Sequence, residues 1–215
     1  ITPISYDHTE HLGTELLQIA YEKAGIIKGN TPCIIGPQAD EVYQLLLNKC
    51  KEMSAPAFCY EYDFFSNKNE DGFQYLSQKF NLKLPSPSLL GDHQIENAAS
   101  VVAAITLLNN KFKITAKQLT DGLTNIDWPG RLQLVDKEKT KALAGDNIEI
   151  YLDGAHNNAG ASILSDWLKS RKNTKTYLIL AMTQNRDVAS FCSYIEDYID
   201  AAIVVTVLSE PLSYS

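Results

Sequence analysis

The sequence predicts an α/β fold in two parts, on three observations. Beyond Trp128-Pro129-Gly130, apolar strand-like runs alternate with helical stretches, a rhythm that implies right-handed crossovers and a largely parallel sheet. Ahead of that turn, long amphipathic helices dominate, with strand signals between them. With 215 residues, 45% of them hydrophobic and 21% charged, there is ample chain for a buried core and no sign of low complexity or internal repeats.

Ile1–Tyr6 reads as the end of a strand, followed by a polar loop at 7–13. Leu16, Leu17, Ile19, Ala20 and Ala24 fall at helical spacing, so 15–24 is a helix stopped by Gly25. A short strand at 31–36 precedes a helix over 39–53, with Val42, Leu45, Leu46, Cys50 and Met53 on one face. Residues 57–65 are aromatic and strand-like, and 71–84 alternate at Leu76, Phe80, Leu82 and Leu84 as half-buried strands do. Pro85-Ser86-Pro87-Ser88 breaks the pattern. Residues 95–108 are apolar nearly all round and predict a buried helix, and Thr115-Ala116-Lys117-Gln118 is a capping box opening another that ends near Leu123. Strands at 131–135, 148–153, 176–182 and 201–208 then enclose helices at 158–172 and 187–199, with a domain boundary near 125–130.

Nineteen Lys and Arg against 26 Asp and Glu give a net charge of −7, which argues against a nucleic-acid surface or a polybasic membrane anchor. No stretch approaches the roughly 20 apolar residues of a membrane span. Cys33, Cys50, Cys59 and Cys192 show no CxxC spacing and lie in apolar segments, so they are expected as buried free thiols in a reducing compartment, the cytoplasm.

Five segments hold chemistry. Asp153-Gly154-Ala155-His156-Asn157 follows an apolar strand and opens a helix, where ligands bind in open α/β sheets. Asp153 suits ribose hydroxyls and His156 a phosphate, although Asp153 and Asn157 also read as helix caps. Arg131, after Trp128-Pro129-Gly130, offers a planar fork for phosphate; a rigid turn with a solvated Arg is the alternative. In Asp92-His93-Gln94-Ile95-Glu96-Asn97, the Asn97 amide both donates and accepts and so suits a base edge, with helix capping as the alternative. Asp7-His8-Thr9-Glu10-His11 carries imidazoles and carboxylates suited to a divalent metal. Lys23 and Lys28 end the first helix, where lysine complements the helix dipole.

Taken together, these segments resemble the folylpolyglutamate synthase/dihydrofolate synthase family of Mur-ligase-like ATP-dependent amide ligases. The matching residues are Asp7-His8-Thr9 with Leu12-Gly13, Glu22-Lys23-Ala24-Gly25-Ile26, Leu90-Gly91, His93-Gln94, Asn97-Ala98, Trp128-Pro129-Gly130-Arg131-Leu132 and Leu152-Asp153-Gly154-Ala155-His156-Asn157. The resemblance implies that residues 1–126 are the C-terminal part of a P-loop ATPase domain of the Mur-ligase central type. Residues 127–215 would be an incomplete Rossmann-like domain. It implies glutamate addition to folates, or to dihydropteroate, through ATP-driven acyl phosphate formation. By resemblance His8 is a Mg²⁺ ligand and Lys23 a carbamylated lysine. Asn97 meets the adenine, Arg131 the phosphates, Asp153 the ribose, and His156 lies near the terminal phosphate. Trp128–Gly130 is then a hinge, and family members are generally monomers.

The chain also departs from the family pattern. It contains no GxxxxGK[ST] motif, Asn158 stands where Pro is usual, Gln184-Asn185-Arg186-Asp187 where Asp-Lys-Asp is common, and His11 where an aromatic residue is common. The expectation is therefore a segment of a longer enzyme, inactive alone and marginally stable or poorly soluble. Two alternatives stand beside it. One is a non-catalytic remnant, or a split-gene subunit that pairs with a separate N-terminal P-loop fragment. The other is a cell-wall amino-acid ligase of the wider Mur group.

Overall fold

A computed structural model describes residues 1–145, 147–171 and 173–213. These fall into two compact units, Ile1–Leu152 and Asp153–Ser215.

In the first unit, β1 (Cys33–Ile35) and β2 (Ala57–Cys59) form a parallel pair. Alternation along these strands gives each face its own core. Cys33, Ile35 and Cys59 join α2 (Leu16–Ala24) and α3 (Asp40–Glu52) in one cluster, with Ile19, Val42 and Leu46 fully buried. Ile34 and Phe58 point the other way and pack on a second cluster. Burial on both faces is what a parallel pair requires. Ile1 runs beside β1 without forming a strand, accepting from Gly36 N–H and donating its amino terminus to the Ile34 carbonyl, 2.7 Å away. The segment expected as a polar loop contains a short helix, α1 (Thr9–Leu12).

The second cluster is built on an antiparallel meander of β3 (Phe64–Asn69), β4 (Gly72–Ser77) and β5 (Asn81–Pro85), against which α4 (His93–Phe112) packs. Here the sequence reading is corrected twice. The single strand expected over 57–65 is two, because the chain reverses at Glu61 (φ 70°), where the Asp63 carboxylate accepts from Cys59 N–H. The alternation over 71–84 is also two strands, divided where Ser77 Oγ accepts from Phe80 N–H. Phe73 and Tyr75 are fully buried, and Phe64 stacks on Tyr75 with centroids 6.1 Å apart. Nor is α4 buried all round. Ala99 and Val102 face the meander, whereas Val101, Leu108 and Phe112 are exposed, since only one side of the helix meets a sheet. The capping box opens α5 (Ala116–Thr124) as expected: Thr115 Oγ1 accepts from Gln118 N–H, and Gln118 Oε1 accepts from Thr115 N–H.

After the Trp128-Pro129-Gly130 turn, β6 (Gln133–Leu134) and β7 (Tyr151–Leu152) pair antiparallel, and α6 (Lys137–Ala144), which the sequence reading missed, lies between them in the chain. The expectation of a largely parallel sheet therefore fails at this pair and holds for β8 (Tyr177–Leu180) with β9 (Ala201–Val204). The compact division falls after Leu152, beyond the β6–β7 ribbon. In the second unit, α7 (Asn158–Lys169) is shorter than expected; Lys172, its anticipated end, lies outside the described residues. The helix expected over 187–199 is α8 (Val188–Ser193), opened by Asp187 accepting from Ser190 N–H, followed by a 3₁₀ turn at Glu196–Tyr198. Its small core comprises Ala161, Leu168, Leu180, Met182, Phe191 and Ile195. All four residues of β9 are exposed, as are Tyr177, Ile179 and Leu208.

The cysteines are free: Cys33, Cys50 and Cys59 are buried and Cys192 half-buried. Burial, with Cys33 adding charge and a hydrogen bond, pushes the Cys50 thiol up to about 12; burial, with Asp63 and Cys33 adding charge, pushes Cys59 up to about 11. Thiols of the unfolded chain ionise near the ordinary value of 9.0, so between pH 9 and 12 the folded state holds more protons. The stability these thiols confer is whole below pH 9 and is lost as pH rises through 11 to 12. We expect the urea midpoint to fall between pH 8.5 and 11, and Cys50→Ala to flatten that fall; a midpoint independent of pH over that range contradicts the account. No helix among the described residues is long and apolar enough to cross a membrane.

Candidate functional site

His8 is held in a left-handed conformation (φ 50°, ψ 39°), one that asparagine, aspartate and histidine adopt more readily than branched residues. It caps α1 through its backbone, its carbonyl accepting from His11 and Leu12 N–H. This turn sets the half-exposed imidazole between two carboxylates, with Asp7 Oδ2 3.6 Å from Nε2 and Glu10 Oε1 3.9 Å from Nδ1. Imidazole nitrogen flanked by carboxylate oxygen is a donor set suited to a divalent cation. His11, also named by the sequence reading, is exposed at the end of α1.

Lys23 lies in the last turn of α2, where Gly25 N–H closes the helix on the Glu22 and Lys23 carbonyls. Its side chain is exposed while neighbouring Ala24 is fully buried, so the helix presents the amine outward on a rigid support.

Asn97 is half-buried on α4, one turn after the helix begins. It caps nothing; its Nδ2 donates to Oε1 of buried Gln94, 3.1 Å away. Asp92 does not cap the helix with its side chain either, and instead accepts from Lys68 Nζ at 2.6 Å. Glu96, between them, is raised from the ordinary carboxylate range by burial and by the charges of Glu61 and Asp92. The sequence reading quoted Gln94 but gave it no role, although its three-residue spacing from Asn97 puts the two amides on one face of a helix.

Arg131 is exposed and follows Gly130, whose φ of 74° favours glycine; its Nη1 donates to the Gly130 carbonyl at 3.2 Å. Trp128 is also exposed, and Leu132 anchors the turn by its burial.

In the second unit, the turn after β7 is organised by its own polar groups. Asp153 Oδ1 accepts from Ala155 N–H at 2.8 Å, and Asn157 Oδ1 caps α7 by accepting from Gly160 N–H at 2.9 Å. The cap reading thus holds for Asn157, while Asp153 shapes the turn ahead of the helix. His156 Nδ1 lies 2.8 Å from the Gly154 carbonyl. A carbonyl only accepts, so Nδ1 carries the proton and Nε2 is the basic nitrogen of the neutral ring. With Nδ1 engaged in this way, donation to a phosphate from Nε2 requires the imidazolium form.

Residues 134–207 match the family model "Dihydrofolate synthetase, C-terminal domain". The probable dihydrofolate synthetase of Schizosaccharomyces pombe is 32% identical over 193 residues, covering 87% of this chain and 44% of that protein. The dihydrofolate synthase/folylpolyglutamate synthase of Bacillus subtilis is 31% identical over 206 residues, covering 91% of this chain and 45% of that protein. A bifunctional folylpolyglutamate synthase/dihydrofolate synthase, solved with Mn, AMPPNP and L-glutamate bound, superposes with a TM-score of 0.81 at 23% identity, over 99% of this chain and 48% of that one. The architecture is thus that of an α/β protein sharing the fold of these synthases. The chain belongs to the dihydrofolate synthase/folylpolyglutamate synthase family. It spans about half the length of the curated relatives it matches.

Proposed function

We propose that this chain forms part of an ATP- and Mg²⁺-dependent amide ligase that adds glutamate to folates, and to dihydropteroate in a bifunctional enzyme. The observation that carries this reading is the Asp153–Asn157 turn at the carboxyl end of β7, in a chain of this family. A carboxylate is a poor electrophile. Phosphorylation by ATP converts it to an acyl phosphate, which the glutamate amine attacks, releasing phosphate.

In this reading Asn97 receives the adenine, Asp153 the ribose and Arg131 the phosphates, with His156 near the terminal phosphate. His8, with Asp7 and Glu10 beside it, has the donor chemistry to hold Mg²⁺. The metal supplies charge neutralisation at the phosphates. Lys23, by losing two protons and gaining CO₂, would exchange a cation for an anionic carbamate able to ligate or orient that metal. Residues 1–126 would be the C-terminal part of a Mur-type ATPase domain and residues 127–215 part of a Rossmann-like domain. The match of the C-terminal family model to residues 134–207 supports the second assignment.

The phosphate-cradling P-loop is absent from these 215 residues and has to come from another polypeptide segment. The test is co-expression with the N-terminal half of the Bacillus subtilis relative. ATP- and Mg²⁺-dependent incorporation of labelled glutamate into tetrahydrofolate or dihydropteroate would then be assayed. Incorporation that needs both polypeptides is expected; a co-purifying pair that transfers no glutamate overturns the reading.

A further inference from the structure

We propose that Gln94 is the positioning residue that makes Asn97 select adenine over guanine. This rests on the nucleotide reading above and deepens it. A carboxamide is ambiguous by itself: turned one way it offers a donor, turned the other an acceptor. At Asn97 the neighbour that biases the choice is Gln94. Gln94 is 8% exposed, one helical turn earlier, and its Oε1 accepts from Asn97 Nδ2 at 3.1 Å. With Gln94 as the acceptor, that hydrogen bond takes one Nδ2 hydrogen and turns the nitrogen end of the amide toward Gln94. Oδ1 and the second Nδ2 hydrogen remain for a ligand.

An acceptor beside a donor matches the N6 amino group and N7 of adenine. Guanine presents O6 and N7, two acceptors, on the same edge and would set its O6 against Asn97 Oδ1. Were Gln94 to donate instead, the amide would turn over and the preference would weaken or reverse. The surroundings act in the same sense. Glu96, Asp92 and Glu61 bring negative charge to this end of α4, which favours an amino group over a carbonyl. Lys68 pairs with Asp92. Burial holds Gln94 in place, and Asn97, half-buried, keeps its outer edge open to a base.

The experiment is a titration of the isotope-labelled full chain with AMP and with GMP, following the Asn97 side-chain amide by NMR. The phosphate and ribose are common to the two probes, so the ratio of their dissociation constants isolates the base. AMP is expected to bind about tenfold or more tightly than GMP, as one bidentate base contact gives. Gln94→Met, similar in length, apolar and suited to a buried helical position, is expected to bring the ratio within about threefold, mainly through lost AMP affinity. Adding Gln94→Met to Asn97→Ala should change the ratio no further, which a general loosening of the helix would not reproduce. Retention of the wild-type ratio in a folded Gln94→Met protein overturns the proposal. Equal binding of the two nucleotides by the wild type does the same, and that measurement decides even if the variant fails to fold. Failure of either nucleotide to shift any residue of α4, even with the N-terminal half of the Bacillus subtilis relative present, sinks the nucleotide reading itself.

Discussion

Phe73→Ala is expected to destabilise the protein by about 3–5 kcal/mol, the largest effect of any single truncation proposed here. Phe73 has no exposed surface, is the second residue of β4 and packs in the cluster that joins the meander to α4. Truncation removes the apolar transfer energy of the ring and leaves a cavity. The stacked Phe64 and Tyr75 are held in place by strand pairing and cannot collapse into it. Phe73→Leu, which refills most of that volume, should cost under about 1.5 kcal/mol. Urea unfolding followed by far-ultraviolet circular dichroism measures both; a loss below 1 kcal/mol for Phe73→Ala would show that the meander is not part of the cooperative core.

The second large effect is catalytic. In the assembled ligase, Lys23→Ala should lower kcat by about 10²–10³-fold, the scale on which removal of one preorganised charged group acts. Stability should hardly change, because the side chain is exposed and alanine is the better helix former. Carbamate chemistry adds a second signature. Activity of the wild type should fall in carbon dioxide-free buffer and return with bicarbonate, whereas residual activity of Lys23→Ala should ignore both. Wild-type turnover indifferent to bicarbonate, with Lys23→Ala near full activity, would remove Lys23 from the mechanism.

Much of this molecule is legible wherever a local signal agrees with the packing. The face of Val42, Leu46 and Cys50 defines α3, and the Thr115–Gln118 box opens α5 as written in the sequence. Long-range partners were not legible. Alternation over 71–84 shows the strand period but not the reversal at Ser77, because a turn stitched by a serine hydroxyl carries no Gly or Pro. The apolar run of α4 shows a helix but not which side is covered, since coverage depends on the meander. At the candidate site, residue types announced Asp153, His156, Asn97 and His8. The tautomer of His156 and the orientation of the Asn97 amide follow from the Gly154 carbonyl and from Gln94, neighbours whose distances only coordinates supply.

The modest core of the second unit has a consequence for how this chain breathes. Among the described residues, six buried side chains hold α7, α8 and β8 together, whereas two clusters, one on each face of β1 and β2, hold the first unit. Free energy of local opening follows such differences, so backbone amides of α7 should exchange with solvent deuterium well before those of α3. The turn bearing Asp153 and His156 rides on the more readily opened element, and whatever seats itself there tightens the looser part of the polypeptide.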